Sequence, residues 1–337
     1  MASHRDSRLF KLLLPPIILL LLCVIACCVG QYGISLSELA HSITQYFFST
    51  ADKTDIDTVL WDIRIPRIGA AILVGAALSM AGATYQGMFR NPLVSPDVLG
   101  VTAGAGLGAV MAIYFDLSFF LVQVMAFSFA LLAVFIAYLV AKLARHHDPI
   151  LSLVLSGVAI GALFGSAIAL VKILADPYGQ LATMVFWMLG ALNMVNREDL
   201  LMSTPIILLC MVPLVLLRWR MNILSLDDKE ALSLGVNVNR TRIVFILSAT
   251  LMTATAVSIT GVIGWIGLVV PHMARLWVGP DFRKLLPTSL FIGAAFLVLT
   301  DTIARTCFPI ELPLGIITAF VGVPFFLSLL IRGGVRK

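Results

Sequence analysis

Ten long apolar runs separated by polar, glycine-rich or proline-rich breaks make up most of the chain. They fall at about residues 12–30, 66–89, 98–115, 118–141, 150–174, 199–217, 241–260, 262–279, 286–304 and 313–331. A helix needs about 20 apolar residues to cross the hydrocarbon core of a bilayer, and most of the runs come close to that length. The pattern predicts an all-α polytopic membrane protein of about ten transmembrane helices, forming a single transmembrane domain over residues 1–337. A faint repeat is visible: about 66–174 and about 242–331 each hold four runs, with a Gly/Pro-punctuated turn after the first or second. Two inverted four-helix repeats fit a transporter.

Three polar intervals are long enough to hold structure. The interval 35–60 opens with Ser35 and Ser37 as candidate N-caps and predicts a short amphipathic surface helix over 37–48. In 176–199, the apolar patch Met184 to Leu189 predicts a short helix lying against the bundle. In 221–241, Ser225 or Asp227 can cap a helix from Asp228 to Leu234, which Gly235 stops. That DDKEALSLG segment has Ala231, Leu232 and Leu234 available for contact, as a partner-docking helix needs, although an ordered linker would read the same.

The stretch Gly261 to Arg275, GVIGWIGLVVPHMAR, breaks the apolar pattern most sharply. Glycines at 261, 264 and 267 predict a helix face without side chains, where another backbone can approach closely. Pro271 removes a backbone donor and is expected to interrupt the helix. In lipid such a break is tolerated only where neighbouring protein or a water-filled path satisfies the freed groups. A transport pathway and a kinked packing helix both fit.

Composition narrows the class. Only 12% of residues are charged and the mean hydropathy is +1.02, whereas soluble proteins carry about 25% charged residues. Of the 23 lysines and arginines, about 17 fall on the side of the termini and about 6 opposite, which predicts cytoplasmic termini. The net charge of +5 therefore belongs to membrane-surface loops and implies no nucleic-acid partner. No GxxxxGK[ST] motif occurs, so any ATP must be used by a partner chain. Cys23, Cys27, Cys28, Cys210 and Cys307 lack zinc or redox spacing, and His146, His147 and Asp148 read as a solvated turn. Neither a metal nor a cofactor is expected in this chain. Arg5, Arg8 and Lys11 precede the first run, which is long enough to be a retained span rather than a cleaved signal.

Together the motifs carry a resemblance. QGMFRNPLVSPDVLGVTAGA (86–105), GVIGWIGLVVPHMAR (261–275), ELPLGIITAFVGVPFF (311–326), RIPR (64–67), WMLG (187–190) and DDKEALSLG (227–235) stand in the order found in FecCD-type permeases. The chain resembles that family from about residue 30 to its end. These permeases are the membrane subunits of bacterial type II ATP-binding-cassette importers. The resemblance implies a homodimer with a central path in the inner membrane, two cytoplasmic ATPase subunits using ATP and magnesium, and a periplasmic substrate-binding protein. It implies that 227–235 is the coupling helix, with Asp227, Asp228, Glu230, Ala231, Leu232 and Gly235 engaging the ATPase. Arg64, Arg67 and Arg305 would dock the binding protein, whose acidic residues suit arginine's planar fork; snorkelling to headgroups, or pairing of Arg305 with Asp301, is the simpler alternative. Asp148, Ser152, Ser156 and Ser166 fall near the cytoplasmic gate. Arg90, Asn91, Pro92 and Gly100, with Gly264, Gly267, Pro271 and His272, are family-motif positions that serve as hinges or as packing. Within the family the overall likeness is to members that carry molybdate and tungstate, with ferric siderophore, haem or cobalamin as alternatives. An ion-coupled secondary transporter would place ionisable residues near the midplane, and here most charges sit at span ends.

Overall fold

The computed structural model describes residues 2–48, 54–144, 149–307 and 309–334, and among these every regular element is helical. Helix α1 (Ala2–Cys28) is followed by the surface helix α2 (Leu36–Phe48) and by α3 (Asp55–Asp57), which continues through a π-helical turn, Thr58–Arg64, into α4 (Ile65–Met88). A 3₁₀ turn at Pro96–Leu99 leads to α5 (Val101–Tyr114), α6 (Phe119–Leu143) and α7 (Pro149–Leu174). The short α8 (Gln180–Leu189) precedes α9 (Arg197–Leu216), α10 (Arg218–Leu224) and α11 (Asp228–Ser233). Then come α12 (Val238–Thr260), α13 (Ile266–Val278), α14 (Phe282–Thr306) and α15 (Leu314–Gly334). The helices expected at 37–48, around 184–189 and from Asp228 are all present. Asp227 caps α11 by accepting from the Asp228 amide at 2.9 Å, and Gly235 follows it at φ +78°.

Each of the ten apolar runs holds a helix, and seven helices among the described residues are long and apolar enough to cross a membrane. The runs at 98–115 and 262–279 are helical over only 14 and 13 residues, about 21 Å of a hydrocarbon core about 30 Å thick. Irregular backbone ahead of each takes up the remaining length. In both halves the same position is affected: α5 and α13 are the second helices of the two repeats.

The repeats interlock. In each half the second, third and fourth helices pack on one another (α5, α6 and α7; α13, α14 and α15). The first helix of each half packs instead on the second and third of the other, α4 against α13 and α14, α12 against α5 and α6. This exchange buries α4 and α12 at the centre: 83% of the apolar window of α4 and 72% of that of α12 are enclosed by protein, against 11% for α1. Small residues let the exchanged helices approach. A Cβ on Gly82 would lie 1.9 Å from the Gly267 carbonyl oxygen, and one on Gly75 would lie 2.3 Å from that of Gly293. Gly104 and Gly108 seat α5 on the backbone of α6 in the same way.

The segment 261–265 departs from the expectation of a glycine-faced helix. It is irregular and non-helical, with Gly261 at φ +69° and Trp265 at φ +70°. Gly261 presses on the Trp187 carbonyl at the end of α8, where a Cβ would come within 2.0 Å. Gly190 and Gly315 pack on the Val262 carbonyl, and the Leu314 amide donates to Gly190 at 2.8 Å. The end of α8, the unwound segment and the start of α15 therefore meet backbone to backbone. Gly264 has open space around it and Gly267 lies inside α13, so the three glycines do three different things. Pro271, expected to interrupt, sits within α13. Its missing donor leaves the Gly267 carbonyl unpaired in the helix, and Gln86 of α4 turns its amide to that gap, donating to Leu268 at 3.2 Å and reaching Gly267 at 3.5 Å. Arg275, one turn further on, donates to the Gln86 side-chain oxygen, Oε1, at 3.1 Å.

Candidate functional site

Ion-paired side chains gather in two clusters, at the two ends of the bundle. At one end, α11 lies against α10 and the start of α12, and α10 in turn packs on α4 and α14. Asp228, its side chain still 45% exposed, accepts from both Nη atoms of Arg242, at 2.7 and 2.8 Å, and from Arg90 Nη2 at 2.8 Å. Arg90, held at φ +51° just past the end of α4, also donates to the Leu224 carbonyl of α10 at 3.0 Å. One carboxylate therefore ties α11 to α4 and α12, while Arg90 ties α4 to α10. The Arg242 hydrogen bonds, with the charges of Arg242 and Arg90, hold the Asp228 carboxyl below the usual carboxylate range. Beside it, Asn222 of α10 donates to Asp281, the N-cap of α14, at 2.7 Å and accepts from the Phe282 amide at 2.9 Å.

On α11 itself, Leu232 and Leu234 are each 59% exposed, with Asp227, Lys229, Glu230 and Gly235 on the same outward surface. Ala231 is fully buried and cannot contact a partner, a correction to the sequence expectation: its methyl is what seats the helix on the bundle. Asp228 is likewise committed to arginines of this chain. Arg90 is the residue whose role the sequence understated, since the RNP segment reaches α11 and does more than end α4. Asn91 builds the turn by accepting from the Leu93 amide at 2.9 Å, Pro92 lies exposed in it, and Gly100 at φ +78° starts α5.

At the opposite end the three docking candidates are buried. Arg67 lies between Asp301, at 2.8 Å, and Glu311, at 2.9 Å. Arg305 donates to the Ala26 carbonyl and lies 3.7 Å from Asp301. Arg64 donates to the Cys27 and Tyr32 carbonyls. These arginines brace α1, α4 and α14 to one another, and docking through any of them would require those bonds to be given up. Beside Arg67 opens a cavity of about 860 Å³ bounded by Asp116, Gln180, Trp187, Thr260 and Glu311, a volume typical of ligand pockets. Its walls come from α8, the α5–α6 turn and the 311–314 segment.

The gate candidates separate. Asp148 lies outside the described residues. Ser152 and Ser156 are buried on the face of α7 that packs on the 3₁₀ turn, where Gly157 would place a Cβ 2.3 Å from the Val98 carbonyl. Ser166 is exposed and donates to the Ala162 carbonyl at 3.0 Å. His272 is partly buried on α13. Gln86 and Arg242 escaped sequence reading. A glutamine near the end of an otherwise apolar run was a signal for the first; the second stood among other basic residues with nothing to mark it.

An interlocked bundle of partly broken helices, carrying a small braced helix at one end and a cavity at the other, is the architecture of a transport permease. The chain belongs to the FecCD transport family, whose model matches residues 18–332, and is thus an ATP-binding-cassette importer permease. It is 40% identical over 317 residues to a Helicobacter pylori protein described as a probable iron chelatin transport system permease, covering 92% of this chain and 94% of that one. It is 36% identical over 323 residues to the molybdate import system permease protein MolB of Haemophilus influenzae, covering 93% and 94%. A solved structure described as "an inward-facing conformation of a putative metal-chelate type ABC transporter" matches it with a TM-score of 0.86 at 34% identity, over 95% of this chain and 98% of that one.

Proposed function

We propose that this chain is one of two identical subunits that form an import path across the bacterial inner membrane, with both termini cytoplasmic. In this reading two partner ATPases, which hold the ATP and magnesium, seat on α11, and a periplasmic binding protein delivers substrate above the cavity at the opposite end. The single observation that supports it most is α11: a short helix at the end of the bundle with Leu232 and Leu234 exposed beside it, braced from within, on a chain without a nucleotide motif. Closure of the ATPases would pull on α11 and rock the helices tied to it, alternating access. The chain itself would need no cofactor.

For the substrate, a metal taken up as an oxyanion or a chelate fits, and molybdate or tungstate is the reading that the overall resemblance supports. A ferric chelate is the second reading, supported by the higher identity to the Helicobacter pylori relative. The test is uptake of labelled molybdate and of labelled ferric chelates in cells with and without the gene. Molybdate uptake that depends on the gene supports the first reading, and iron uptake alone would replace it with the second. Failure of any ATPase to co-purify with the tagged chain from its native host would sink the importer assignment as proposed here.

A further inference from the structure

The exposed leucines account for how a partner could grip α11, but not for how its motion reaches the membrane. Among the described residues Asp228 is the one carboxylate bonded to two arginines from different elements at this end of the bundle, Arg90 beyond α4 and Arg242 on α12. Arg90 and Arg242 flank the two central helices, each of which carries one half of the interlocked repeat onto the other. Four residues before Arg90, Gln86 joins α4 to α13 by donating to the Leu268 carbonyl and reaching the Gly267 carbonyl that Pro271 leaves open, and the Arg275 guanidinium donates to the Gln86 side-chain oxygen. A push on α11 thus meets Arg90 and Arg242 through Asp228. Next to Arg90 the Asn91 amide donates to the Gln86 backbone carbonyl at 3.2 Å, the Gln86 side chain reaches α13, and Arg242 is a parallel arm into α12. Bonds of this kind at an exposed site contribute little stability. Their value is geometric, since arginine's rigid fork fixes direction as well as distance.

We propose that Asp228 is a positioning residue for transport: it does not touch the ATPase, and it transmits displacement of α11 to both central helices at once. The proposal rests on the assignment of α11 as the coupling helix and adds to it which side chain carries the load inward.

The experiment uses the full complex of this chain with its ATPase and binding protein in proteoliposomes, with labelled molybdate and labelled ferric chelate as probes. Asp228→Asn should leave the amount of co-purified ATPase within twofold of wild type, yet lower substrate imported per ATP hydrolysed at least tenfold. Asp228→Glu should restore most of the ratio. Arg90→Gln, which leaves the Arg242 arm in place, should give an intermediate loss and serves in place of Asp228→Asn if that variant fails to accumulate. In a double-mutant cycle, Arg90→Gln combined with Asp228→Asn should be no worse than Asp228→Asn alone. An import ratio within twofold of wild type in these variants overturns the proposal. So does loss of the ATPase from the Asp228→Asn complex, which would make Asp228 a contact instead. A wild-type chain that brings down no ATPase fails the coupling-helix assignment itself, independently of any variant.

Discussion

At the residue scale, the most expensive arrangement is Arg67 between two carboxylates. Asp301 is almost fully buried, and removing Arg67 would leave it only the longer contact with Arg305 at 3.7 Å; breaking one partner of such a pair costs about 3–5 kcal/mol. Arg67→Ala should therefore lower the unfolding temperature in detergent sharply, while Glu311→Gln, at a side chain 37% exposed, should lower it little. Equal shifts for the two would show that the network does not brace the bundle. Asp228 makes a prediction of the opposite kind. Its folded carboxyl titrates below the ordinary value, so its contribution is present above roughly pH 4 and is lost as pH falls through the lowered value. A spin label at Ser233→Cys should keep constant mobility from pH 8 to 5 and loosen only below about pH 4. Of these partnerships, the sequence displayed only Arg305 with Asp301, one helical turn apart. The shorter bonds to Asp301 come from Arg67, across most of the chain, and no local spacing marks them.

At the element scale, glycine spacing alone could not distinguish a helix face from an unwound segment. Gly261, Gly264 and Gly267 satisfy a period of three equally well, and the outcome at Gly261 is decided by the Trp187 carbonyl, which belongs to another helix. Each apolar run, by contrast, does hold a helix, and of the two candidate caps for α11, Ser225 and Asp227, the second is used, because hydrophobic length and an Asp–Gly bracket are local properties. The three glycines now separate by experiment. Gly261→Ala meets a carbonyl and an unfavourable φ and should abolish accumulation of the folded protein, whereas Gly264→Ala, in open space, should be silent in yield and unfolding temperature. Gly82→Ala should be as damaging as Gly261→Ala, because it would force α4 and α13 apart. A silent Gly82→Ala would mean that the two helices are not in contact as described.

At the scale of the whole molecule, the interlock makes each repeat's first helix part of the other repeat's core, so neither half has a complete core alone. Among the described residues most charged groups lie toward the helix ends, away from where an ion-coupled transporter would place them. Uptake should accordingly be blocked by vanadate and by ATP depletion while persisting when an ionophore collapses the proton gradient; collapse of uptake by the ionophore in ATP-replete vesicles would favour an ion-coupled mechanism.

The same long-range ties set a schedule for biosynthesis. Helix α1 is the first to leave the ribosome, yet little of it is enclosed by protein, and its anchors are the bonds from Arg64 to Cys27, from Trp277 to Lys11 and from Arg305 to Ala26. At roughly 5–20 residues per second, Arg305 follows Ala26 by some tens of seconds. Through that interval the first helix waits in the lipid with most of its eventual partners unmade. Chains that terminate before α14 would present it unseated, a ready mark for the cell's membrane quality control.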